Sequence, residues 1–124
     1  MTNSYKKVLI VDDDKDILTI LKQSFIGKGF SVISAQDGEE GLKMIEEEKP
    51  DLILLDIVMP KMDGVTMAKK LKEKGIKSKI LFLTNLRGKL PVAEGIIEET
   101  DYISKTDMHI DQIIAKVKEK LDIE

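Results

Sequence analysis

Two short apolar runs in this chain each end on carboxylates. Val8-Leu9-Ile10-Val11 leads into Asp12-Asp13-Asp14, and Leu52-Ile53-Leu54-Leu55 leads into Asp56. A continuous apolar run of this length reads as a strand buried on both faces, and its tip is a rigid platform for whatever follows. One carboxylate at such a tip can simply cap a turn. Three of them brought to one crevice repel each other strongly unless a cation sits among them. Oxygen ligands that are few in number and leave room for water suit magnesium. Two further strand ends carry complementary groups: Thr84 closes the run Ile80-Leu81-Phe82-Leu83, and Lys105 follows Asp101–Ser104. The single histidine, His109, falls in the last expected helix and supplies no general base to this set. Such an array is suited to holding a phosphoryl group on a carboxylate oxygen. Magnesium and Lys105 would neutralise the charge spread over the equatorial oxygens of the transition state.

The composition permits this and narrows the alternatives. With 124 residues, 42% hydrophobic and 35% charged, the chain reads as a single domain, 1–124, large enough to bury a core. A net charge of −3 argues against direct nucleic-acid binding by this domain. Arg87 is the only arginine, so bidentate phosphate recognition by arginine is not expected. The absence of cysteine removes disulfides, thiolate metal sites and cysteine nucleophiles together. No apolar run approaches membrane-spanning length and Met1–Lys7 is no signal peptide, so no membrane association and a cytoplasmic location are expected.

The elements that must position these groups alternate in type. After the first strand, Ile17, Leu18, Leu21 and Phe25 share a helical face, and Gly27 and Gly29 stop the helix. Asp14 suits the cap of that helix better than a ligand role. Phe30–Ala35 alternates partially, as a strand near a sheet edge does. Asp37 caps a second helix with Glu40 three residues on, and Leu42 and Ile45 face inward. Met59-Pro60 and Asp63-Gly64 turn the chain after Asp56, and Asp63 can cap a helix to about Lys74 with Val65, Ala68 and Leu71 inward. Its lysine-rich outer face, and Lys116–Lys120 later, read as solvated surfaces. The segment from Gly88 to Thr100 suggests a short or irregular helix. A last helix starts near Asp107 and repeats at Ile110, Ile113, Ile114, Val117 and Leu121. Five strands alternating with five helices imply an α/β fold, doubly wound (βα)5, with a parallel sheet covered on both faces. The first, third and fourth strands are the apolar ones, which puts them in the middle of an order 2-1-3-4-5. In that order ligands bind beyond the carboxyl ends of the first and third strands, where the winding reverses. Those ends carry Asp12, Asp13 and Asp56.

In these residues the chain resembles the receiver domains of two-component response regulators, over nearly its whole length. Val11-Asp12-Asp13-Asp14 is similar to the family's acidic pocket, and Asp56-Ile-Val-Met-Pro-Lys-Met-Asp-Gly64 to its phosphorylation motif. Phe82-Leu83-Thr84 resembles the strand with the switch hydroxyl, and Asp101-Tyr102-Ile103-Ser104-Lys105 the strand with the switch aromatic and the lysine. The resemblance implies a flavodoxin-like fold in which Asp56 accepts phosphate from a sensor histidine kinase or a phosphotransfer protein. It implies that Asp13, Asp56 and the Val58 carbonyl ligate magnesium, with Asp12 acting through water. Lys105 would contact the phosphoryl group and Thr84 would swing to bond it. Tyr102 would follow inward and alter the surface of the fourth helix, fifth strand and fifth helix, where a downstream effector or output domain is read.

Three positions depart from the family's pattern: Thr106 stands where proline usually follows the lysine, Asn85 where a small residue follows Thr84, and Ile97-Glu98-Glu99-Thr100 where a Gly-Ala pair is usual. Without proline a cis bond costs roughly 2.5–4 kcal/mol, so the Lys105–Thr106 bond is expected to be trans. Val11-Asp12-Asp13-Asp14 also resembles the Asp-x-Asp motif of haloacid-dehalogenase-type phosphatases, with Asp12 as nucleophile and Asp14 as general acid. That alternative meets Lys15 where the motif wants Thr or Val, lacks length for a cap domain, and leaves the Asp56–Gly64 motif unexplained. A third reading, a flavodoxin-like cofactor binder, would set a flavin phosphate against an acidic crevice.

Overall fold

In the computed structural model, which describes residues 6–57, 62, 64–84, 102–104 and 109–123, the central strands form where the sequence is continuously apolar. β1 (Lys7–Val11), β3 (Leu52–Asp56) and β4 (Lys79–Thr84) lie side by side, flanked by β2 (Ser31–Ala35) and β5 (Tyr102–Ser104). All the pairings are parallel and the order is β2-β1-β3-β4-β5, as the hydrophobic pattern predicts. Every residue of β3 is buried, whereas β2 at the edge is only half-buried until Ala35.

Successive strand residues point to opposite faces, and this splits the core in two. Val8, Ile10, Leu52, Leu54, Leu81 and Leu83 pack on one face beneath α1 (Lys15–Gly27) and α4 (Ile110–Lys120). Leu9, Val11, Ile53, Leu55 and Phe82 pack on the other beneath α2 (Gly38–Glu48) and α3 (Gly64–Glu73). The inward residues of α1 are Leu18, Leu21 and Phe25, with Ile17 partly covered. Phe25 meets Phe30 edge-on at 5.3 Å between ring centroids, which ties the end of α1 to the start of β2. In α3 the fully buried Met67 joins Ala68 and Leu71, a contribution the sequence reading omitted.

The element ends follow local chemistry. The Asp37 carboxylate accepts from the Glu40 N–H at 2.9 Å, capping α2 as expected. Gly27 closes α1 from within, and the left-handed turn falls at Gly29, with φ of 92°. Gly75, with φ of 72°, plays the same part after α3. The last helix starts at Ile110 rather than near Asp107. His109 is its exposed N-cap, its N–H donating to Gln112 Oε1 at 3.0 Å, so the histidine precedes the helix instead of lying within it. The helix expected over 88–100 lies outside the described residues, as do Asp63 and the Lys105–Thr106 bond. Among the described residues no helix is long and apolar enough to cross a membrane.

Candidate functional site

The register of β1 against β3 pairs Val11 with Leu55. Asp12 and Asp56 are the next residue on each strand, so parallel pairing alone delivers the two carboxylates to one edge of the sheet. Asp12 is fixed there by its backbone and its side chain. Its N–H donates to the Ala35 carbonyl at 3.1 Å, and its Oδ1 accepts from the Asp14 N–H at 2.9 Å. On the other strand, the Ile57 N–H donates to Leu83 O at 3.2 Å and the Gly64 N–H to Ile57 O at 2.8 Å. The Asp56 tip is thereby held between β4 and the first turn of α3.

The outcome is a cluster in which carboxylate oxygens of Asp12, Asp13 and Asp56 all lie within 4.8 Å of one another. Asp12 is fully buried and Asp56 is 4% exposed, while Asp13 is exposed. Three carboxylates this close, two of them out of water, are an arrangement that a cation stabilises. The donor set fits a hard divalent ion: the ligands are oxygens, few, and open to solvent on the Asp13 side, where water could supply further oxygens.

Asp14 takes no part in the cluster. Its Oδ1 accepts from the Asp16 N–H at 2.9 Å and the Ile17 N–H at 3.2 Å, the geometry of an N-cap. This is the cap role expected for it, and it removes the general acid that the phosphatase alternative requires. An Asp14→Ala variant should lose about 1 kcal/mol of stability, the usual worth of such a cap, while still being labelled by an acyl phosphate. Chemical denaturation beside a labelling assay checks both halves; loss of labelling in a folded variant would return Asp14 to the chemistry.

Thr84 is the last residue of β4, one beyond Leu83, which pairs with Asp56. Ser104 of β5 pairs with Thr84, and Tyr102 with Phe82. The backbone thus brings Thr84 to the same edge of the sheet as the carboxylates. Val58, Asn85, Leu86 and Lys105 lie outside the described residues. Gly64, expected as a turn former and as the last residue of the Asp56–Gly64 motif, is in addition a positioning residue. A Cβ at Gly64 would lie 2.3 Å from the Asp56 carbonyl oxygen and 2.9 Å from Ile57 Cα. Only glycine lets α3 start this close behind the Asp56 tip. The signal available was the residue type itself, a glycine directly after the Asp56 loop, since glycine alone lacks the Cβ that would need room there.

A parallel sheet wound both ways from β1, with its acidic cluster at the switch point between β1 and β3, defines a doubly wound α/β domain of flavodoxin-like topology. The chain belongs to the response regulator receiver domain family, which it matches over residues 8–118. It is 48% identical over 79 residues to the alkaline phosphatase synthesis transcriptional regulatory protein PhoP of Bacillus subtilis, covering 64% of this chain and 33% of that protein. The chain spans half or less of the length of the curated relatives it matches. Among solved structures, a CheY-like receiver domain from Methanospirillum hungatei superposes with a TM-score of 0.85 at 34% identity, covering 96% of this chain and 95% of that one. The response regulator TrrA of Thermotoga maritima, solved in complex with Mg2+-BeF, superposes with a TM-score of 0.79 at 32% identity, covering 92% and 97%. The chain is therefore a receiver domain of the two-component type, a signalling domain by family.

Proposed function

We propose that Asp56 is the phosphoacceptor and that 1–124 is a single receiver domain working in the cytoplasm. The observation that carries this is the convergence of the Asp12, Asp13 and Asp56 oxygens within 4.8 Å at the switch point of the sheet. In the reaction an Asp56 oxygen attacks the phosphorus of a phosphohistidine on a sensor kinase or phosphotransfer protein. The P–N bond breaks, the imidazole takes up a proton, and an aspartyl phosphate remains. Asp12, Asp13 and Asp56, with the Val58 carbonyl, are the residues that would hold magnesium. That ion, when bound, neutralises negative charge on the transferring group. Lys105 offers a second counter-charge, and the Thr84 hydroxyl offers a hydrogen bond to the phosphorylated form. Tyr102 couples that change to the surface read by a downstream effector or output domain. Two things support this reading: the family to which the chain belongs, and a Mg2+-BeF complex of a relative at 32% identity.

Incubation with magnesium and a small acyl phosphate should add one phosphoryl group per chain, released by hydroxylamine as an acyl phosphate is. Omitting magnesium should abolish the labelling. Repeated turnover of a phosphomonoester, without stable label, would instead establish a phosphatase.

The lifetime of the phosphorylated state follows from the residues two beyond Asp56 and Thr84, which are Val58 and Leu86. Hydrolysis needs a water in line with phosphorus, and a polar side chain beside the phosphoryl group can orient it. Valine and leucine offer no such hydrogen bond. Self-dephosphorylation is therefore expected to be slow, and a Val58→Asn, Leu86→Glu double variant should lose phosphate about tenfold faster, roughly 1.4 kcal/mol in barrier. Equal rates in a decay assay would transfer control to Asn85, whose amide could hold the water.

A further inference from the structure

At the edge of the sheet opposite the carboxylates, the beginnings of β1, β3 and β4 meet around a cleft of about 510 Å3. Four lysines line it: Lys6, Lys49, Lys77 and Lys79. The one carboxylate among the lining residues, Asp51, is already engaged, its Oδ2 accepting the Lys7 N–H at 2.8 Å. Neighbouring lysines are spoken for, Lys7 by Glu48 at 3.0 Å and Lys74 by Glu46. None of the four lining lysines has an ion-pair partner among the described residues. Beneath them the lining is apolar, with Ile45 buried and Ile76 half-buried.

We propose that this cleft binds a small organic polyphosphate of the nucleotide class. Its volume falls within the roughly 300–1,000 Å3 of small-molecule sites. Ammonium groups act as point charges for phosphate oxygens, and the apolar lining gives a ring system a surface to rest on. The charge pattern selects a small anion over a polymer. Lys49 follows directly on Glu46-Glu47-Glu48, and the chain carries −3 overall. A polyanion extending beyond the cleft would meet that acidic flank within a Debye length of about 8 Å, whereas a compact ligand meets the four lysines against the single charge of Asp51. The cleft shares no residue with the acidic cluster, so this proposal stands or falls apart from the assignment of Asp56.

The test is an amide-resolved NMR titration of the full chain in metal-free buffer, with ATP, inorganic tripolyphosphate and adenosine as separate probes. ATP should shift the amides of Lys49, Lys77 and Lys79 saturably and bind more tightly than either of the other two. A Lys49→Gln, Lys77→Gln double variant should weaken ATP binding by roughly tenfold or more with its melting temperature unchanged. Lys22→Gln, which alters an exposed lysine on α1, should leave the affinity as it was. The proposal is overturned by any of three results: no saturable shift up to about 10 mM ATP, an affinity indifferent to the double variant, or tighter binding of a polyglutamate peptide than of ATP. The last would make the cleft a seat for an acidic protein segment.

Discussion

An Asp56→Asn chain should take up no phosphoryl group from an acyl phosphate and should still be folded. The first half follows from chemistry, because an amide oxygen is not a competent nucleophile towards phosphorus, and the substitution puts an amide in place of the proposed phosphoacceptor. The second half follows from packing. Asparagine matches the shape of aspartate, and the β3 tip is held by backbone bonds from Ile57 to Leu83 and from Gly64 to Ile57, which the substitution leaves alone. Charge adds a further consequence. Two carboxylates 4.8 Å apart, the outer limit of the cluster, repel by about 1 kcal/mol at the dielectric of water and by about 3 kcal/mol at an effective value near 20. Magnesium held as proposed would relieve that repulsion in the wild type, so its addition should raise the wild-type melting temperature by mass action. In the variant, with one charged ligand gone, the rise should be much smaller. Label that survives in Asp56→Asn would move the phosphoacceptor to Asp12 or Asp13. An equal magnesium response in both chains would take Asp56 out of the ion's ligand set.

Much of this site is legible in the sequence because its signals are one-dimensional. A run of four apolar residues ending on aspartate specifies both a buried strand and the residue at its tip. The contrast between the apolar runs of β1, β3 and β4 and the mixed β2 and β5 specifies which strands are central, and hence the order observed. Asp14 and Asp37 were readable as caps because a cap acts on the N–H groups two and three residues ahead. Less legible were features set by three-dimensional proximity. Met67 lies outside the Val65, Ala68, Leu71 set that the periodicity selected, yet it is fully buried against the β1–β3 face. Glycine at 64 reads in sequence as conformational freedom; in the fold it is a matter of clearance from another element's backbone. The lysine-lined cleft is assembled from four separate places in the chain, between Lys6 and Leu121, and no local pattern announces it.

The same clearance predicts the largest loss of stability from a single added methyl. In Gly64→Ala the new Cβ would meet the Asp56 carbonyl oxygen at 2.3 Å, Ile57 Cα at 2.9 Å and the Asp56 carbonyl carbon at 3.1 Å. All three are backbone atoms, so no change of rotamer relieves the contact. Either the first turn of α3 or the tip of β3 must move by about 1 Å to restore an ordinary separation. Moving α3 stretches the 2.8 Å bond from the Gly64 N–H to Ile57 O, a net loss of about 1 kcal/mol. Overpacking of this kind costs a further 1–3 kcal/mol, roughly. Against this, alanine gains only about 0.5–1 kcal/mol over glycine in a helix. A net destabilisation of about 2 kcal/mol should lower the melting temperature by roughly 8 °C in a domain of this size. Because the displaced atoms belong to Asp56 itself, magnesium affinity and phosphorylation should fall in the variant even where it remains folded. Gly27→Ala supplies the control: its Cβ would meet nothing within 4 Å at the end of α1, so that substitution should be neutral or slightly stabilising. Thermal melts of both variants beside a magnesium titration decide the matter. A Gly64→Ala chain as stable as Gly27→Ala, with undiminished magnesium affinity, would mean that α3 can retreat from the β3 tip at no cost and that Gly64 does not position the site.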